Sequence, residues 1–249
     1  MSDFNRGYSS IPAGRADMAV DAGLRSFMLG VYNKVALGLL LSGALAYVTS
    51  AVPAVRDLLY VVTPEGRLTG FTMLGTVVRF APLAAILIGM FAMRNPTAKS
   101  SGIYYWTIVA LIGAGLGFWG LLYTGASIAS TFLVTSAAFG ALSLAGYVTK
   151  KDLTGFGSFL MIGLVGIMVA GLVSFFFHSP VLIFLIQVLG VFIFAGLIAY
   201  DTQRLKMTYY QLGGDTAAMG VATNYGALNL YLNFINLFQM LLSIFGSRR

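Results

Sequence analysis

The stretch "FAGLIAYDTQRL", residues 194–205, carries one carboxylate, Asp201, where a long apolar run gives way to polar sequence. The chain has eight acidic residues, and the other seven (Asp3, Asp17, Asp21, Asp57, Glu65, Asp152 and Asp215) fall in polar segments. An ionisable group at membrane depth is expensive, so it persists where it binds or relays a cation or proton, or where it has a fixed partner. The plain alternative is a surface anchor paired with Arg94, or with Arg204 one turn further on. Gln187, fourteen residues before Asp201, lies within about 40° of it on a helical wheel, which gives this run a polar line. The last apolar run, "TNYGALNLYLNFINLFQMLLSIF" (223–245), places Asn229, Asn233 and Asn236 at i, i+4 and i+7, one stripe of a helix. Hydrocarbon cannot satisfy three amides, so the stripe must face other helices or water. It predicts a central helix whose opposite face, at Leu230 and Phe234, meets lipid. A structural hydrogen-bond ladder and the lining of an ion path both fit the stripe.

Other chemistries lack members. The chain has no cysteine, and its one histidine, His178 beside Pro180, reads as an interfacial loop residue. A triad or zinc site cannot be built from it. Paired-aspartate proteolysis would need a second aspartate in the span after Asp201, and Asp215 in "LGGDT" sits in a loop instead. No catalytic residue, metal site or cofactor is expected.

The elements that position these groups follow from composition. Hydrophobic residues make up 58% of the 249 positions and charged residues only 9%, against roughly 25% charged in soluble domains. Crossing a hydrocarbon core of about 30 Å takes about 20 helical residues. Seven such runs are present: Gly30 to Ser50, Leu68 to Met93, Ile103 to Tyr123, Ala126 to Val148, Gly155 to Phe177, Val181 to Tyr200 and Thr223 to Phe245. In the second, Arg79 and Arg94 are expected to snorkel to opposite surfaces and Pro82 to kink the helix. Gly113 with Gly117, and Ser136 with Gly140, predict close helix approach. Tyr104, Tyr105 and Trp106, and Trp119 with Tyr123, predict an interfacial aromatic belt. The Ser/Thr-rich fourth run predicts packing rather than conduction.

Residues 1–29 form a polar tail, and 30–249 form the transmembrane domain. The tail has no short apolar core followed by a cleavage site, so the first run is expected to act as an uncleaved signal anchor. Lysine and arginine set the orientation. Arg6, Arg15, Arg25, Lys34, Arg94, Lys99, Lys150, Lys151, Arg204 and Lys206 fall on one side; Arg56, Arg67, Arg79, Arg248 and Arg249 fall on the other. The amino terminus is therefore expected in the cytoplasm. The terminal "GSRR" goes against that count and leaves open a re-entrant seventh run. The net charge of +7 is mostly this topological signal and implies no nucleic-acid partner.

Two segments carry a family resemblance. "AYDTQ" (199–203), followed after a polar loop by "ALNLYLNFINLF" (227–238), resembles the transmembrane Bax inhibitor motif family in a bacterial branch, and the likeness runs from about Arg25 onward. The resemblance implies an all-α integral membrane fold, a seven-helix transmembrane bundle with the seventh helix central. It also implies location in a bacterial inner membrane. For function it implies a calcium leak responsive to pH in some members, and in others survival or stress regulation. The rival to a leak is regulation of another membrane protein, such as a membrane-bound protease. The conducting members carry an aspartate pair. Asp201 matches the first; Asn233 stands at the second, and Leu83 stands where some members place an acid in the second span, whose basic end Arg94 matches. An aspartate facing an amide loses the like-charge repulsion of a pair. One carboxylate with amide carbonyls is a thin ligand set for calcium, which suits a leak rather than tight binding.

Overall fold

The computed structural model describes residues 13–249 apart from residues 175 and 178, with side chains from residue 22 onward. His178 and the first part of the polar tail lie outside the described residues. Helices dominate: α1 Ala13–Ala51, α2 Pro53–Leu59, α3 Met73–Ala92, α4 Ala98–Gly115, α5 Gly117–Leu122, α6 Gly125–Val148, α7 Thr154–Ser174, α8 Pro180–Leu212 and α9 Thr216–Phe245. With α4 and α5 counted as one span, seven among the described residues are long and apolar enough to cross a membrane. The chain is an integral membrane protein built as an all-α bundle.

The helix ends explain themselves locally. The first amides of a helix lack intrahelical acceptors and need a cap. Thr72, Thr97, Thr124 and Ser179 each accept from a backbone N–H three residues on, and Asp215 accepts from those of Ala217 and Ala218. α8 stops at Gly213, whose φ of 56° is the left-handed cap that favours glycine.

α9 is the hub. Half of its apolar window is buried, the largest share of any span, and it packs on α1, α4, α6 and α8. Helices α3 and α7 lie outside that ring, α3 on α4 and α7 on α8. The main core joins Leu24, Phe27, Met28 and Val31 of α1 and Tyr105 and Ile108 of α4 to Leu228, Leu230, Tyr231 and Phe234 of α9. A second cluster joins Leu160, Phe194, Leu197, Ile198 and Leu237 across α7, α8 and α9.

Several sequence expectations change. Helix α1 begins at Ala13, inside the expected tail; "AGRADMAVDAGL" is rich in good helix formers, and Leu24, Phe27 and Met28 enter the core. The second run starts with a strand, because Leu68–Phe71 pairs antiparallel with Tyr60–Val62. α3 then runs unbroken through Pro82. Arg79 lies over the rings of Phe71 and Phe118 at 4.8 and 5.5 Å, so aromatic faces on the hairpin side receive its charge. Tyr105 and Tyr123 are core residues, 0% and 2% exposed, and not belt residues. Of the two small-residue pairs, Gly113 brings α4 against α1: a Cβ there would stand 2.6 Å from the Ser42 Cα. Gly140 has nothing within 4 Å and packs on no helix. The last run is one continuous helix long enough to cross. Its end is tied to the end of the bundle away from Asp201, where the N–H of Arg249 donates to the Leu122 carbonyl and the N–H of Ser247 to the Ser127 hydroxyl.

Candidate functional site

Asp201 is not at a helix end. α8 continues to Leu212, eleven residues further, so the carboxylate sits within a continuous helix and inside the bundle, 8% exposed. Successive helical residues point about 100° apart, and the three polar residues of "DTQ" accordingly reach three different elements. Asp201 Oδ2 accepts from Asn233 Nδ2 of α9 at 2.8 Å. The hydroxyl of Thr202 meets that of Tyr32 of α1 at 3.5 Å. The Gln203 side chain accepts from the N–H of Leu153 and donates to the carbonyl of Lys151, both at 2.8 Å, which ties the α6–α7 connection to α8. Within that connection, Asp152 accepts from the N–H and hydroxyl of Thr154; these bonds hold its carboxyl below the usual range. Lys206 extends the same clamp, donating to the carbonyl of Tyr147 at 3.2 Å in the last turn of α6, where helix carbonyls lack partners.

The other carboxylate oxygen of Asp201 faces Arg204 Nη1 at 3.7 Å, and that guanidinium is half-exposed. Asp201 and Arg204 line a cleft of about 110 Å³ with Thr208, Tyr225 and Asn229. A carboxylate, a hydroxyl, a phenol and an amide thus surround a space large enough for a few waters or a hydrated cation's inner shell. Arg204 opposes a cation there and competes for Asp201.

The remaining expected residues scatter. Asn236 donates to the Leu232 carbonyl of its own helix at 2.8 Å. Gln187 is half-buried in α8, about 21 Å along the axis from Asp201. Arg94 is exposed in the α3–α4 connection. The ion pairs among the described residues are Arg56–Asp57 and Asp201–Arg204, so Arg94 is not the partner of Asp201. Leu83 is half-exposed on α3. Leu230 and Phe234, expected to face lipid, are 0% and 1% exposed, because a hub helix has neighbours on both faces.

Sequence reasoning missed three contacts. Asn224 of α9 donates to Ala98 O and Ser101 Oγ, both at 2.9 Å, and its own carbonyl is buried without a partner; an amide in an apolar run was the signal. Ser42 donates to the Val109 carbonyl and bonds Tyr231 Oη at 2.7 Å. Tyr105 donates to the Lys34 carbonyl at 2.6 Å. Serine and tyrosine are common in such helices, and nothing in the local sequence marks these three as paired.

Toward the opposite face the polar site ends abruptly. Phe194, Leu197 and Ile198 of α8 and Phe234 and Leu237 of α9 lie in the next turns, all buried, and seal the interior above Asp201.

The comparisons with known proteins agree over nearly the whole chain. The profile of the family described as "Inhibitor of apoptosis-promoting Bax1" matches residues 24–249. An uncharacterised protein of Caulobacter vibrioides is 70% identical, with all of both chains covered. The uncharacterised protein RP147 of Rickettsia prowazekii is 42% identical over 92% of each chain. The inner membrane protein YbhL of Escherichia coli is 40% identical over 94% of this chain and 98% of its own. With that profile spanning residues 24–249 and relatives aligned along nearly their whole lengths, this chain belongs to the Bax inhibitor family of membrane proteins.

Proposed function

We propose that the protein is a non-enzymatic, low-flux cation leak of a bacterial inner membrane, with calcium as the cargo and Asp201 as the controlling group. The observation that carries this reading is a carboxylate buried in the bundle, bonded to Asn233 and opening on a polar cleft. The adjacent seal of Phe194, Leu197, Phe234 and Leu237 makes the present arrangement closed, so conduction requires α8 and α9 to part near Asp201. Such an opening is rare and flux is low. Cation arrival also displaces Arg204. The modulation by pH that belongs to this reading acts through protonation of Asp201, which removes the charge facing Arg204 and turns an acceptor of the Asn233 bond into a hydroxyl. By the charge count the basic face, with the amino terminus, is cytoplasmic.

The test is calcium flux from loaded vesicles containing only the purified protein. The parent should release calcium faster than protein-free vesicles, and Asp201→Asn should change that rate while the protein elutes and melts as a folded species. Asn233→Asp should make flux depend more steeply on pH between mildly acid and neutral conditions, since two carboxylates in hydrogen-bond contact hold a proton between them. Release no faster than from empty vesicles would refute the leak. Joined to stable co-purification of another membrane protein, such as a membrane-bound protease, that result would favour a regulatory role.

A further inference from the structure

A second cavity, of about 520 Å³, lies at the other end of the bundle, between α1, α5, α6 and α9. Its walls include Leu39 and Gly43 of α1, Ile128 and Phe132 of α6, and Ile235 and Phe238 of α9. It has a side opening for a topological reason. α1 and α6 each pack on α9 but hardly on one another; they meet at Tyr32 and Phe139, 6.3 Å between ring centroids. Nearer the hairpin face the two helices leave a slot toward lipid. Phe234 sits between Phe132 and Phe139, 5.5 Å from each, and closes the bottom.

The walls select the occupant. Of the polar groups in or near the slot, Ser42 is held by Val109 and Tyr231 and Ser50 by the Tyr47 carbonyl, while the indole N–H of Trp119 is buried without an acceptor. That single donor apart, the walls are mostly aliphatic and aromatic, so a polar solute would leave most of its own groups unpaired, whereas a hydrocarbon chain needs no partners. The α1 wall runs from Leu39 to Ala51, about 18 Å of helix, which matches one leaflet's share of a hydrocarbon core of about 30 Å. At the rim stands Arg249, held by its backbone bond to Leu122, with Arg248 beside it over the Tyr123 ring at 5.9 Å.

We infer that this slot holds an acyl chain of an anionic phospholipid from the leaflet on the hairpin side, with the headgroup phosphate at Arg249. The chain wedges between α1 and α6 against the hub helix. Filling the slot requires no ion flux at Asp201, although Phe234 is both its floor and part of the seal there.

Trp119 lines the cavity and Trp106 is the other tryptophan of the chain, so Trp106→Phe leaves a single reporter at the slot. The protein is placed in bilayer nanodiscs of zwitterionic lipid containing a small fraction of mid-chain brominated lipid, either anionic or zwitterionic. Trp119 should be quenched about five-fold more effectively by the anionic probe at equal fraction, the preference expected of one arginine near an anionic headgroup. Arg249→Gln should bring the two probes level. Gly43 lines the cavity and a Cβ there meets nothing within 4 Å, so Gly43→Phe puts a ring into the slot and should abolish the excess. Gly140, equally open but away from the slot, supplies the control: Gly140→Phe should leave the excess intact. Equal quenching by both probes in the parent overturns the proposal, as does an excess that survives Gly43→Phe or Arg249→Gln. Quenching that follows protein density rather than lipid fraction assigns the slot to a second copy of the chain and also overturns it.

Discussion

Gln203 uses both halves of its amide on one short connection, accepting from Leu153 and donating to Lys151. Each such bond contributes about 0.5–1.5 kcal/mol net, so Gln203→Ala should lower stability by roughly 1–3 kcal/mol and loosen residues 150–153. Trypsin reads that directly, since Lys150 and Lys151 lie in the freed segment; cleavage there should accelerate several-fold in the variant. An unchanged cleavage rate would show that the connection is held by other means. Asp152 caps the same segment with a carboxyl held below its usual range. Its contribution is therefore present above about pH 4 and lost only as pH falls through the lower folded value, so the comparison should read the same at pH 5 and pH 7. At this scale the sequence marked Asp201 by its position and Asn233 by the amide stripe, and the family likeness set the two against each other. It could not mark Thr202 or Gln203, whose partners, Tyr32 and the 151–153 backbone, lie far along the chain.

Small residues act through what the facing helix brings to them, and the two glycines of α4 and α6 separate this cleanly. Gly113→Val should cost roughly 1–3 kcal/mol, as overpacking against rigid surroundings does, because the Ser42 backbone of α1 stands where the side chain would go. Gly140→Ala meets open space and should be neutral or stabilise by about 0.4–1 kcal/mol through lost freedom of the unfolded chain. Thermal melts of the two variants in one detergent check the contrast, and equal shifts would mean that the α1–α4 approach is not tight. The number and order of spans were legible from hydropathy alone, since seven apolar runs give seven crossing helices. Element ends were less so. "TQRLKMTYYQL" is too polar to extend a hydrocarbon-based span, yet it continues α8 as helix to Leu212. The "LTGF" strand is apolar enough to pass for the start of α3, and only its pairing with Tyr60–Val62 removes it.

The whole molecule divides along its axis. One end holds Asp201, its cleft, and the exposed basic residues Arg94, Lys99, Lys150 and Arg204; the other holds the β-hairpin, the lateral cavity and Arg249. A layer of buried aromatic and aliphatic side chains on α8 and α9 separates them. The asparagine stripe announced a central α9, and the hub position is real, but the stripe did not say which side was lined: Asn233 meets Asp201, Asn229 the cleft, and Asn236 its own helix. Seven crossings require the two termini to lie on opposite sides of the membrane, although Arg248 and Arg249 would count toward the cytoplasmic side if charge alone decided. Those arginines are instead fixed by structure. Arg248 pairs across an isolated bridge with Tyr123, and the N–H of Arg249 bonds the Leu122 carbonyl, at the end where α1 also finishes. Reporter domains fused to each terminus should therefore read opposite compartments, with the amino-terminal fusion active in the cytoplasm. A third fusion in the α6–α7 connection should agree with the amino-terminal one, because α1, the α4–α5 span, α3 and α6 make four crossings between them. Both termini reporting the cytoplasm would remove the seventh crossing. The Tyr123–Arg248 bridge could not then exist, and neither could the lipid slot that Arg249 closes.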